Sequence, residues 1–203
     1  MSQSPADHTV DNSKRNWIMT TCAVGVVGAP FAAVPFVSSF APSEKAKAAG
    51  AAVEVDISDI KPGERKTVEW RGKPVWIVRR TPEQVASLKK TESQLADPLS
   101  KRNPGELTPE YARNEGRSIK PEIFVAVGIC SHLGCSPSEK FTVGAQPSLP
   151  DDWQGGFFCP CHGSTFDMAG RVYKNKPAPD NLEVPAHMYA SDTTLIIGED
   201  KKA

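Results

Sequence analysis

The sequence predicts a mainly antiparallel β domain with one helix, carried behind a single N-terminal transmembrane helix. Three observations predict it. Residues 16–43 carry no charged side chain, the segments after Val53 alternate apolar with polar, and 18 Pro and 15 Gly break 203 residues into short pieces. A hydrophobic fraction of 39% with 24% charged residues suits a packed core and excludes a disordered chain. Lys+Arg and Asp+Glu balance at 24 each, so the chain lacks the basic surplus that nucleic acid as a partner would need.

In chain order, residues 1–15 form a polar tail. Its Ser13-Lys14-Arg15-Asn16-Trp17 resembles a weakened twin-arginine signal, with Lys in place of the first Arg. Export by that route carries proteins already folded and loaded with cofactor. Residues 16–42 follow as a transmembrane signal-anchor. A helix needs about 20 apolar residues to cross a bilayer, whereas the apolar core of a cleaved signal has about 7–15. Trp17 stands where an interfacial aromatic belongs, and Pro30 and Pro35 should kink the helix, which a membrane tolerates. Lys14 and Arg15 before the span nearly balance Lys45 and Lys47 after it, so charge alone does not orient it. Residues 43–52, rich in Ala with one Gly, read as a semi-flexible hinge.

The head, residues 53–203, opens with the strand-like Val53-Glu54-Val55-Asp56-Ile57 and a turn at Lys61-Pro62-Gly63-Glu64. Thr67-Val68-Glu69-Trp70 and Pro74-Val75-Trp76-Ile77-Val78 form a hairpin about Arg71-Gly72-Lys73. Thr81 then caps a helix with Pro82 in its first position, expected to run to about Ala96. Residues 97–118, polar and punctuated by Pro104, Gly105, Pro109 and Gly116, read as a long surface loop. Ile123-Phe124-Val125-Ala126-Val127 is a buried strand, Gly156-Phe157-Phe158 another, and Thr194-Leu195-Ile196-Ile197 closes the sheet.

Four of the five cysteines and two of the four histidines fall in two six-residue windows. These are Cys130-Ser131-His132-Leu133-Gly134-Cys135 and Cys159-Pro160-Cys161-His162-Gly163-Ser164. A structural zinc site would pair Cys-x2–4-Cys with His-x3–5-His, which neither window offers. Two plain disulfides would leave both histidines idle. A [2Fe–2S] centre with two Cys on one iron and two His on the other uses one ligand of each kind from each window, and leaves two cysteines free to bond to each other.

At these windows the chain resembles the Rieske iron–sulfur proteins of quinol–cytochrome c reductase, the cytochrome bc1 complex, of the proteobacterial type. Tail, span, hinge and the Pro-rich Lys176-Pro177-Ala178-Pro179 extend the resemblance over essentially the whole chain. It implies a Rieske-type head with a small cluster-binding subdomain (about 122–180) and one helix–loop insertion. It also implies one [2Fe–2S] cluster per chain, with Cys130 and Cys159 on the inner iron, His132 and His162 on the outer, and a Cys135–Cys161 disulfide. Rieske oxygenase components lack that extra cysteine pair. By the same resemblance His162 contacts the quinol, Leu133 lines the docking surface, and Pro177 and Pro179 belong to a loop covering the cluster. Ser164 is placed to hydrogen-bond a cluster sulfur, and Phe166 stands where many relatives carry a tyrosine that does the same.

The resemblance implies a one-electron, proton-coupled carrier that oxidises quinol held by cytochrome b, passes the electron to cytochrome c1 and contributes to proton translocation. The complex would be a dimer in the bacterial inner membrane, with this single-pass subunit's head on the periplasmic side, where a disulfide persists. The chemistry suits the task. Two ferric irons, two sulfides and two thiolates sum to a formal charge of about zero, against about −2 for four thiolates, so imidazole ligation raises the potential. Each imidazole keeps a second nitrogen whose proton affinity follows the charge on the iron. An alternative is the Rieske subunit of another periplasmic oxidase such as arsenite oxidase; a zinc-stabilised interaction module would be colourless. Cys22 reads as an apolar filler of the span, His8 and His187 lack partners at ligand spacing, and Trp70 and Trp76 read as core.

Overall fold

The uncharged run folds as helix α1, Asn12–Ser38, in the computed structural model of the chain, which describes residues 11–44, 50–102 and 107–200. The tail to Val10, with His8, and residues 45–49 of the expected hinge lie outside the described residues. The helix starts ahead of the uncharged run because Asp11 caps it, its carboxylate accepting the N–H groups of Ser13 and Lys14 at 3.1 and 3.2 Å. Lys14 and Arg15 thus sit in its first turn. Thr20 and Thr21 turn their hydroxyls back onto the carbonyls of Asn16 and Trp17, leaving no hydroxyl proton facing outward. Pro30 and Pro35 lie inside the helix, which is long and apolar enough to cross a membrane. The chain divides into two units, Met1–Lys47 and Ala48–Ala203.

The described residues of the second unit form three antiparallel sheets of three strands each. The first joins β1 (Val53–Asp56), β9 (Thr194–Ile197) and β8 (His187–Tyr189) in the order β1-β9-β8. The second is β2 (Arg65–Trp70), β3 (Lys73–Arg79) and β4 (Ile123–Val127), and the third is β5 (Ser138–Lys140), β6 (Gly156–Cys159) and β7 (Ser164–Asp167). The β2–β3 turn takes two residues, Arg71 and Gly72, both at positive φ (52° and 70°), the geometry that matches strand twist in a tight hairpin.

The middle sheet explains the unbroken apolar runs of β3 and β4. Val75, Ile77, Ile123, Val125 and Val127 face one core with Val55, Ile57, Leu195 and Ile197. Their neighbours Trp76, Val78, Phe124 and Ala126 face another, with Phe157, Phe166, Cys130 and Cys159. A strand buried on both faces has no polar face to show, so its sequence reads as continuous rather than alternating. Trp76 stacks on Phe157 with ring centroids 5.0 Å apart, bringing the third sheet against the middle one.

Two expectations change. The helix after Thr81, α2, spans Pro82–Thr91 and stops before Ala96. Its capping box with Gln84 is present, but residues Glu92–Gln94 tighten into a 3-10 turn. Leu95 then extends to bridge Tyr173 and buries itself against Trp153, so a long-range pairing overrides helix propensity. The described part of residues 97–118 is not a free surface loop either; residues 103–106, with Pro104 and Gly105, lie outside the described residues. Asp97, Ser100, Thr108, Ala112, Arg117 and Ser118 are all buried, and the Arg117 guanidinium donates to the carbonyls of Ala169, Gly170 and Leu182. Strands β5 and β7 carried no alternating signal: β5 is three polar residues, and β7 is buried along its whole length, serine and aspartate included.

Candidate metal centre

Both cysteine windows are turns that follow a buried strand, and the two are built alike. In the first, after β4, the Gly134 N–H closes onto the Cys130 carbonyl at 3.1 Å; in the second, after β6, the Gly163 N–H closes onto the Cys159 carbonyl at 3.0 Å. Gly134 and Gly163 have φ of 81° and 77°, a left-handed conformation that lets each turn fold back under its histidine. The Cys130 N–H donates to the Cys135 carbonyl, and Cys159 pairs with Ser164 across β6 and β7. Cys159 is thus rooted in a strand end, and Cys130 is held within its own turn just past β4.

Cys135 and Cys161 form a disulfide that joins the two turns. The sulfurs of Cys135, Cys159 and Cys161 crowd within 4.8 Å of one another, but a disulfide supplies no thiolate, so that trio is not a ligand set. Cys130 and Cys159 are the free thiols here, each 2% exposed. Burial pushes the Cys130 thiol up, and Cys159 beside it pushes the same way. The His132 backbone N–H and the Ser164 hydroxyl, aimed at the Cys130 sulfur, pull it down. Deprotonating two such neighbouring sulfurs calls for a cation beside them.

His132 is half-buried and His162 exposed, with ring centroids 4.7 Å apart and planes at 89°. Leu133 projects beside them, 70% exposed. Two buried soft sulfur donors with two imidazoles toward solvent fit a two-iron group that takes sulfur on one side and nitrogen on the other.

The Pro-rich segment is tied to both turns. The Ala178 N–H donates to Ser164 Oγ at 3.0 Å. Ser131 Oγ donates to the Asp180 carbonyl at 2.7 Å and accepts from the Asp180 N–H. Pro177 and Pro179 are exposed, and buried Ala178 lies between them. Sequence reasoning missed what holds this loop. Arg102 donates to the Pro179 carbonyl, and buried Asn181 links Val172, Asp97 and Ser100. Neither residue has a spacing signal, because their partners lie some 70 to 85 positions away or across a strand end.

Phe166 is fully buried, opposite Phe157. His187 is buried with Nδ1 bonded to the Pro185 carbonyl, and burial lowers its pKa; Cys22 is exposed on α1; Trp70 and Trp76 are both buried in cores. A cavity of about 760 Å³ between α2 and residues 114–122 shares no residue with either cysteine turn.

Comparison with known proteins gives two matching family descriptions. Residues 110–186 match "Rieske [2Fe-2S] domain", and residues 6–43 match "Ubiquitinol-cytochrome C reductase Fe-S subunit TAT signal". The ubiquinol-cytochrome c reductase iron-sulfur subunit of Allochromatium vinosum is 54% identical over 188 residues, 93% of this chain and 89% of that protein. That of Rhodospirillum rubrum is 38% identical over 199 residues, 95% of this chain and 98% of that protein. Among solved structures, a chain of a hyperthermophilic respiratory Complex III is similar at 25% identity, covering 87% of this chain and 97% of its own, with a TM-score of 0.47.

Proposed function

Because this chain belongs to the family of ubiquinol–cytochrome c reductase iron–sulfur subunits, we propose that its two cysteine–histidine turns hold the Rieske [2Fe–2S] centre that oxidises quinol in the complex. It is a subunit of a quinol oxidoreductase of the cytochrome bc1 type. The observation that carries the ligand assignment is the pairing of two buried thiols, Cys130 and Cys159, with two outward imidazoles, His132 and His162. The thiols hold the inner iron and the imidazoles the outer, and the Cys135–Cys161 disulfide keeps the turns together. When bound, a centre so ligated accepts one electron at a raised potential.

His162 meets the substrate. An imidazole bound to metal through one nitrogen presents the other to solvent, where it can bond to a quinol hydroxyl and take its proton. Leu133 supplies the apolar docking surface around it. Cytochrome b holds the quinol, cytochrome c1 receives the electron, and the complex is a dimer. Helix α1 anchors the subunit in the bacterial inner membrane with the head in the periplasm, where the disulfide is stable. The head comprises residues 53–203, with its cluster-binding part at about 122–180, and residues 43–52 are the hinge on which it moves. The long match to the Allochromatium subunit, tail and span included, favours this over an arsenite oxidase-type subunit.

Restoring this chain to membranes that lack it should restore quinol-driven reduction of cytochrome c; membranes that gain the chain but no such activity would contradict the reading. Within such a complex, Ala48→Pro with Ala51→Pro should slow turnover several-fold while the cluster spectrum stays unchanged. Unaltered turnover would falsify the hinge's role. Phe166→Tyr should add a donor to a cluster-ligand sulfur and raise the midpoint potential by about 20–60 mV, one neutral hydrogen bond strengthened on reduction. A redox titration giving the same or a lower midpoint would reject that.

A further inference from the structure

Three arginines are buried around the C-terminal end of β7, and the chemistry above uses none of them. Arg80, Arg117 and Arg171 are exposed by 2%, 0% and 0%. One buried carboxylate sits among them, Asp167, whose Oδ2 takes the Nε and Nη2 of Arg171 at 2.8 and 2.7 Å. Every acceptor of the other two guanidiniums is neutral. Arg80 donates to the carbonyls of Gly116, Met168 and Pro121 and to Ser118 Oγ. Arg117 donates to the carbonyls of Ala169, Gly170 and Leu182 and to Thr108 Oγ1. Asp97, also buried, adds a second negative charge, but its oxygens are taken by the N–H groups of Lys101 and Arg102. Among the described residues three buried cations thus face two buried anions, with Glu115 and Glu122, less buried, lining the cavity beside Arg80.

That excess is costly to fold around. A guanidinium resting on carbonyls gives up its hydration without the return an ion pair would make. Burial pushes Arg117 down to about 9 and Arg80 to about 10, yet both stay charged at neutral pH. Position suggests what the charge does. Asp167 ends β7, and Ser164, which begins it, is paired across β6 with Cys159. Three residues of strand span about 10 Å. A buried, unscreened charge at that distance shifts a one-electron equilibrium about tenfold, and positive charge favours the more negative, reduced state.

We propose that Arg80, Arg117 and Arg171, gathered around Asp167 and residues 168–170 at the far end of β7, are positioning residues for the redox chemistry that bias the iron–sulfur site toward reduction. The proposal rests on the ligand assignment above. The test is a redox titration of the full-length holoprotein and its Arg117→Gln, Arg117→Lys and Asp167→Asn variants, with the electron paramagnetic resonance signal of the reduced cluster confirming assembly in each. Arg117→Gln should shift the reduced-to-oxidised ratio about tenfold toward oxidised, a midpoint about 59 mV lower. Arg117→Lys keeps the charge and should move it by less than half as much, and Asp167→Asn should move it the other way. A merely structural cluster gives no such opposition of sign. Arg117→Lys matching Arg117→Gln, or Asp167→Asn falling with it, overturns the proposal. If Arg117→Gln binds no iron, Arg80→Gln against Arg80→Lys repeats the comparison. If neither glutamine variant assembles while both lysine variants do, the arginines are structural and the proposal falls. A wild-type protein without the mixed nitrogen–sulfur signal would overturn the ligand assignment instead.

Discussion

Cys159→Ser should yield a head that folds and carries no iron. Cys159 ends β6, and its backbone is paired with Ser164 across the sheet, so a near-isosteric change leaves the strand, its register and the aromatic core around Phe157 in place. What it removes is one of the two free thiols in the turns. A hydroxyl is a poor ligand for iron where thiolate is needed, and beyond Cys130, itself a ligand, no free sulfur stands among the described residues of the two turns to replace it, Cys135 and Cys161 being bonded to each other. Iron should fall from two atoms per chain to a trace, and quinol oxidation by the assembled complex to background. His162→Ala should have the same effect from the nitrogen side. Full iron content in either variant, measured beside an unchanged circular dichroism spectrum, would remove that residue from the ligand set.

Opening the disulfide should have the largest effect on stability. Cys135 and Cys161 are 26 positions apart, and closing a loop of that length stabilises a fold by about 3.5 kcal/mol through the unfolded chain. The bond also joins covalently two turns otherwise tied by the His132–His162 ring contact, by core packing and by hydrogen bonds through the Pro-rich loop. Cys161→Ser should therefore lower the urea midpoint of the head and let the cluster escape at urea concentrations that leave the wild type intact. Treating the wild type with a strong thiol reductant should reproduce both effects. An unfolding free energy within about 0.5 kcal/mol of wild type, well under the expected loss, would mean the fold holds the turns without the bond.

Local pattern and distant partner differ in how far a sequence reveals them. Strands β1 to β4 and β9 were legible because alternation, or a continuous apolar run bounded by turns, states which face is buried. The cysteine turns were legible because chemistry-bearing residues crowd two short windows. By contrast β7, Ser-Thr-Phe-Asp, looks like an exposed segment, and only its partners show otherwise: Ala178 for the serine, Arg171 for the aspartate. The end of α2 is set by Tyr173, about 80 residues beyond, which draws Leu95 out of the helix. Residues 97–118 read as surface since polar residues with Pro and Gly usually are. Arg117 is buried there because its carbonyl partners arrive from residues 169, 170 and 182. Nothing within several positions of an arginine says whether it will meet water or a buried turn.

The most direct test is electron paramagnetic resonance of the purified, reduced protein, combined with nitrogen hyperfine spectroscopy and an iron count. Two iron atoms per chain in one spin system coupled to two imidazole nitrogens is the predicted result. A protein that holds no iron, or whose metal shows sulfur ligands only, would contradict the assignment of Cys130, Cys159, His132 and His162.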